Sequence, residues 1–174
     1  MRRLILPKAY VDRLDGPLLF LAGPIKGAPP WQDKAIELIW QMDPTIYIAS
    51  PHSRTGAGYE EVKMDGDTTR FQRQTLWERH YLEKAAYSGA ILFWLPCQVA
   101  PCKGKDYARD TRGELGEWRG QLKHDKNVRF VIGAEQGFDG LDIIKCNSSA
   151  VSPGIEFYST LEKTCEEAVR LARR

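Results

Sequence analysis

Apolar residues in this chain fall into unbroken blocks and helically spaced stripes, and the two kinds alternate. Residues 17–23 (Pro-Leu-Leu-Phe-Leu-Ala-Gly) form the first block, which predicts a strand buried on both faces and ended at Gly23-Pro24. From Trp31 onward, Ala35, Ile36, Leu38, Ile39, Trp40 and Met42 recur as a helical stripe. Residues 45–50 read as a short second strand, and residues 51–67 as a long loop rich in Gly and charge. Loops of that length in compact domains are often functional. Thr68 or Thr69 caps a long helix through Tyr87, with Phe71, Leu76, Tyr81 and Ala85 roughly on one side. Residues 89–95 are a third strand, a helix follows from about 111 to 124, and residues 128–133 are a fourth strand. Residues 137–153 read as irregular or partly helical and residues 154–158 as a short fifth strand. Ser159 or Thr160 caps a final helix to Arg173, and residues 1–16 are a polar, basic lead-in without a period. Five strands alternating with helices imply an α/β fold whose parallel sheet is joined by right-handed crossovers.

Composition keeps this picture and removes several classes of function. At 174 residues the chain fits one domain, residues 1–174, large enough to bury a core without staples. It has no internal repeat, low-complexity tract or linker. A formal charge of +2, with Lys and Arg scattered, is too small for a dedicated nucleic-acid binder. Cys97, Cys102, Cys146 and Cys165 form no CxxC pairs, and the N-terminus lacks a secretory signal, so the expectation is free thiols in a cytoplasmic protein. No apolar run reaches the roughly 18 residues of a membrane span. Nothing has metal-ligand spacing, and no cofactor is expected.

The chemistry concentrates in residues 110–118, Asp-Thr-Arg-Gly-Glu-Leu-Gly-Glu-Trp. They follow the third strand and a polar loop, and strand–loop–helix junctions are where open α/β sheets bind ligands. Glu114 at the start of a helix would be held ionised by the helix dipole, as attack on a sugar carbon requires. Thr111-x-x-Glu114 is equally a capping box, in which the carboxylate only satisfies a backbone N–H.

A wider set of motifs carries a resemblance. Residues 20–25 (Phe-Leu-Ala-Gly-Pro-Ile), Trp31-Gln32, Gln74-x-x-Trp77-Glu78-x-x-x-Leu82-x-x-Ala85, residues 91–96 (Ile-Leu-Phe-Trp-Leu-Pro) and Glu114-Leu115-Gly116 occur in order. Over roughly residues 18–135 the chain resembles the nucleoside 2-deoxyribosyltransferase-like family, most closely its branch with the Trp-Glu and Phe-Trp-x-Pro motifs. The resemblance implies a single-domain, flavodoxin-like three-layer sandwich with a five-stranded parallel sheet and an active site at the carboxyl ends of the strands. It implies cleavage or exchange of the base–deoxyribose bond through a covalent glycosyl-glutamate intermediate, with retention. Glu114 is then the nucleophile, Gly113 and Gly116 let the sugar approach, and Gly23 and Ile25 line the cleft floor. The family's aspartate near the end of the long helix falls on Tyr81, so Glu78, one turn away, is the substitute carboxylate. Asp110 and Asp106 are candidates for protonating or orienting the leaving base. Phe20 stands where well-known members carry a tyrosine that hydrogen-bonds the nucleophile, a contact Tyr81 is a candidate to replace.

Other residues stay open between binding and packing. Trp31 either stacks on a nucleobase, worth about 1–3 kcal/mol in nucleic-acid cases, or covers the first helix. Arg54 is a candidate for a phosphate or base carbonyl, or a solvated loop residue; Lys26 hints at a 5′-phosphate. His80 and His124 read as surface groups, and Phe93 and Trp94 as core. The expected partners are a nucleoside or nucleotide, a free nucleobase and a second copy in a homo-oligomer, with Trp40, Trp77 and Trp118 offering apolar contact surface. Nucleic-acid polymers and membranes are not expected as partners. Loss of polar family residues at Phe20 and Tyr81 also fits a non-catalytic nucleotide-binding or sensing protein. A flavodoxin-like electron carrier is disfavoured, because the first loop lacks a Ser/Thr-rich phosphate cradle.

Overall fold

The unbroken apolar blocks become the central strands of the sheet. The structure, a computed structural model, describes residues 3–7, 9–11, 13–52 and 70–174, with side chains of the second helix described from Gln74 onward. In chain order the elements are β1 (Arg3–Ile5), β2 (Leu18–Ala22), α1 (Trp31–Met42), β3 (Tyr47–Ala49), α2 (Arg70–Ser88) and β4 (Gly89–Leu95). There follow α3 (Arg109–His124), β5 (Phe130–Ala134), α4 (Leu141–Val151), β6 (Phe157–Tyr158) and α5 (Leu161–Ala172). The strands form one sheet in the order β1-β3-β2-β4-β5-β6, and each neighbouring pair is parallel.

Side chains of β2 and β4 alternate between two apolar clusters, which is why neither strand shows a polar face. Leu18, Phe20, Ile91, Phe93 and Leu95 pack with Trp77, Tyr81, Leu115, Trp118 and Ile144 from α2, α3 and α4. Leu19, Leu21, Leu92 and Trp94 pack with Ile36, Ile39, Cys165 and Val169 from α1 and α5. Helices therefore cover both faces of a parallel sheet, an α/β architecture.

The strand count is corrected, and the region read as irregular or partly helical is partly helical. Among the described residues the sheet has six strands, not five, because part of the lead-in adds β1 at the edge. Arg3, Leu4 and Ile5 stand opposite Tyr47, Ile48 and Ala49, and Ser50 N–H donates to the Ile5 carbonyl at 3.0 Å. Three residues are too few for a visible period, and Arg3 sits over the Tyr47 ring, 4.9 Å from its centroid, so a basic residue occupies a strand position. Within the irregular region 137–153, α4 is a full helix with a weak stripe, since only Ile144 and Ser148 are buried. Thr160 does cap α5, its hydroxyl accepting Lys163 N–H at 3.2 Å.

Trp40, Trp77 and Trp118, expected as contact surface, are core residues at 5%, 1% and 7% exposure. Phe93 and Trp94 are core as well. No helix among the described residues is long and apolar enough to cross a membrane.

Candidate active site

Parallel strands return their crossover helices from the carboxyl edge of the sheet, so α2 and α3 both start there. Three loops at that edge are laced together. Val99 N–H donates to the Gly27 carbonyl at 2.8 Å, the Cys102 thiol to the Lys26 carbonyl at 3.1 Å, and Cys97 N–H to the Glu135 carboxylate at 2.7 Å. Tyr107 OH donates to the Pro96 carbonyl at 2.7 Å. Gly27 has φ +77°, and a Cβ there would lie 2.6 Å from the Ala100 carbonyl, so the crossing of two loops requires glycine. The loop from 96 to 108 thus delivers α3 at a fixed place.

α3 begins at Arg109, two residues before the expected start, after Ala108 in the left-handed region at φ 57° with no side-chain cap. Thr111 is a buried residue inside the helix, so the capping-box alternative does not hold. Glu114 then lies in the second turn, beyond the strongest reach of the helix dipole. Asp110, Glu114 and Glu117 follow at i, i+4 and i+7 on one face. Across from them α2 presents Glu78, whose carboxylate accepts Gln74 Nε2 at 2.9 Å, and Arg79 ties the helices together by meeting Glu117 at 3.3 Å.

The three carboxylates named from sequence are therefore brought into one electrostatic unit. Glu114 is half-buried and has no hydrogen-bond partner among the described residues. Burial, then the charges of Glu78, Asp110 and Glu117, push its carboxyl up to about 8, with Lys105 opposing. This overturns the expectation that the helix dipole holds it ionised. Burial also raises Glu78, with the Gln74 hydrogen bond and Lys105 opposing and Asp110 adding to the rise. Asp110 goes the other way, held below the usual carboxylate range chiefly by its hydrogen bond from Lys105. Like charges in a partly dry site cannot all ionise freely, so Glu114, and in the same direction Glu78, favours its protonated form. The arrangement can supply both a carboxylate nucleophile and an acid.

The predicted binding residues are less united. Gly113 is exposed and a Cβ there would meet nothing within 4 Å, so the helix face beside Glu114 is open. Ile25 is half-buried and Lys26 exposed on the β2 loop. Gly23 is filled from the opposite side, since a Cβ there would strike the Trp94 carbonyl and lie 2.5 Å from the Trp31 ring. Trp31 is not placed for stacking on a base. It is 4% exposed, packs in the α1–α5 cluster and donates Nε1–H to the Pro24 carbonyl at 3.0 Å. Tyr81 is likewise sealed. Its hydroxyl accepts Val11 N–H at 2.8 Å and donates to the Ala9 carbonyl at 3.0 Å, so it is not the replacement for the family tyrosine. Phe20 lies in the core, its ring 5.9 Å from that of Trp77. Arg54 lies outside the described residues.

Sequence reading missed Lys105, which has no periodic signal in its loop. Among the described residues no group of His, Cys, Asp and Glu is arranged to hold a metal ion. An open cleft of about 1000 Å³ lies elsewhere, between β5, β6 and the end of α5, and contains none of the predicted residues. Its charges are largely satisfied, with Arg170 meeting Glu167 at 2.6 Å and Arg129 donating to the Tyr87 carbonyl. The carboxylate cluster, with an unbonded and strongly perturbed acid, is the better candidate.

No protein-family model matches the chain, and no curated protein sequence matches it. Among solved structures the chain is similar to a conserved protein from Enterococcus faecalis V583, at 14% identity and a TM-score of 0.55, covering 89% of this chain and 98% of that one. At that identity the likeness concerns the fold alone, an α/β arrangement around a parallel sheet.

Proposed function

We propose that the protein is a flavodoxin-like N-glycosyl transferase or hydrolase, cleaving the base–deoxyribose bond of nucleosides or nucleotides through Glu114. One observation carries the reading: Glu114, chosen from motif order, is half-buried and without a hydrogen-bond partner among the described residues, and feels the charges of Glu78 and Asp110, the two other candidate acids. The proton that burial favours on Glu114 has to leave it before attack, and Glu78 is assigned to take it up. A leaving nucleobase needs a proton, while the nucleophile must have none. In the first displacement the Glu114 carboxylate bonds C1′ as the glycosidic C–N bond breaks and its electron pair leaves on the base nitrogen. The proton passes from Glu78 to the base. In the second, a new base or water, giving its proton to Glu78, bonds C1′, and the ester C–O pair returns to Glu114. Two displacements give overall retention. Whether water or a base resolves the ester separates hydrolase from transferase.

Incubating the protein with a deoxynucleoside and a different free base tests the reading directly, with the exchanged nucleoside as the expected product. Base release without exchange assigns the hydrolase. Glu114→Gln keeps the shape and removes the nucleophile, so turnover is expected to fall on the order of a thousandfold or more. Full turnover in that variant would defeat the mechanism.

A second reading, a nucleotide-binding or sensing protein without chemistry, is favoured by three aromatic residues. Phe20, Trp31 and Tyr81 are packed away rather than aimed at a substrate. It predicts a ligand-induced rise in melting temperature with neither exchange nor base release over a broad panel of nucleosides and nucleotides.

The open side of the cluster, where Asp110 is 59% exposed and Gly113 faces outward, suits a homo-oligomer whose neighbouring chain completes the pocket. A cytoplasmic enzyme of nucleotide metabolism is the setting this reading implies.

A further inference from the structure

Charged and polar groups gather around Glu78 and Glu114 from two helices and a loop. α2 brings Gln74, Glu78 and Arg79, and α3 brings Asp110, Glu114 and Glu117. Lys105 comes from the loop before α3. Arg79 is committed to Glu117, with both side chains well exposed at 63% and 44%. Arg109 touches Asp110 at 3.4 Å from the solvent side. Lys105 is different: it is 29% exposed, ion-paired to Asp110, and held on a loop pinned to the β2 loop through Gly27. Asp110 and Glu114 are i, i+4 neighbours, so this ammonium lies about one helical turn from the nucleophile.

Resting on the glycosyl-transfer reading, we propose that Lys105 is a positioning residue that assigns the roles of the three carboxylates. By keeping Asp110 ionised it leaves Glu78 and Glu114 as the carboxyls that hold a proton, and it sets the pH at which Glu114 becomes a nucleophile. The electrostatics run in that direction: Lys105 lowers Asp110, and it opposes the rise of Glu78 and of Glu114. Without it, Glu78, Asp110, Glu114 and Glu117 would face one another with only solvent-exposed arginines nearby.

The experiment compares wild type, Lys105→Gln and Lys105→Arg in two ways. Carbon NMR of glutamate labelled at the side-chain carboxyl follows Glu78 and Glu114 through a pH titration of the substrate-free protein. Base exchange gives kcat/KM against pH. In Lys105→Gln the titration midpoint of the pair is expected to rise by about one pH unit, which lowers kcat/KM at pH 7 about tenfold. The loss is recovered at higher pH, and Lys105→Arg stays near wild type in both readouts. An unmoved midpoint in Lys105→Gln, or an equal loss of rate at every pH, overturns the proposal. A moved midpoint beside a wild type that neither exchanges nor releases base overturns the glycosyl-transfer reading. The catalytic role falls with it, while the lysine's hold on the two carboxyls stands.

Discussion

Burial and neighbouring carboxylates hold the Glu114 carboxyl well above its ordinary range, and that has a consequence for stability. Its folded value of about 8 lies above the ordinary value of 4.5, so between those limits the folded state binds more protons than the unfolded one. Stability from this group is fully present below the ordinary value and is lost as pH rises through about 8. Glu114→Gln removes the dependence. Melting curves of the variant are expected to match wild type near pH 4 and to exceed it by on the order of a few degrees at pH 8. Equal pH slopes for the two proteins would show that Glu114 ionises freely. Glu78→Gln removes the like charge that acts most strongly on Glu114, so the pH at which Glu114 ionises should drop.

At the scale of elements, capping and packing are the testable matters. Thr160→Ala removes the hydroxyl that accepts Lys163 N–H and should cost about 1 kcal/mol in denaturant unfolding. Tyr81→Phe leaves the Val11 N–H to find another partner and the Ala9 carbonyl with Trp77 Nε1–H alone, a loss of about 1–3 kcal/mol. Elements with a continuous apolar block or a strong stripe, such as residues 89–95 and the helix from Trp31, were legible in the sequence because burial on both faces leaves no polar interruption. β1 was not legible, since it is made by pairing with β3 rather than by its own pattern. α4 was not either, because one weakly buried face gives little period. The early start of α3 rests on a left-handed alanine that no residue-type rule anticipates. Within the candidate site Glu114 was found by motif order, Glu78 by its place on the long helix and Asp110 by its place just before the motif. Their ionisation was misread because dipole position was argued without knowing what else lies near. Lys105 was invisible, as its partner is fixed by a loop path. Trp31 and Tyr81 were misplaced for one shared reason: a large aromatic residue suits a core as well as a ligand, and composition alone does not separate them.

At the scale of the whole molecule, the two apolar clusters anchor every helix to one sheet, so the carboxyl-edge loops are the natural place for variation. With Trp40, Trp77 and Trp118 buried, any homo-oligomer must use other surface. Light scattering is expected to give a multiple of the 19.8 kDa chain mass, and a single-chain mass at assay concentration would exclude a pocket shared between copies.

The lead-in is fastened to α2 on either side of Glu78. Trp77 Nε1–H and Tyr81 OH both donate to the Ala9 carbonyl, at 3.1 and 3.0 Å, and the Lys84 ammonium donates to the Val11 carbonyl at 3.3 Å. A protease that clips after residue 11 would therefore loosen the helix that presents the acid. If Glu78 acts as proposed, turnover would fade although every reacting group survived, so N-terminal trimming would silence the proposed chemistry from a distance.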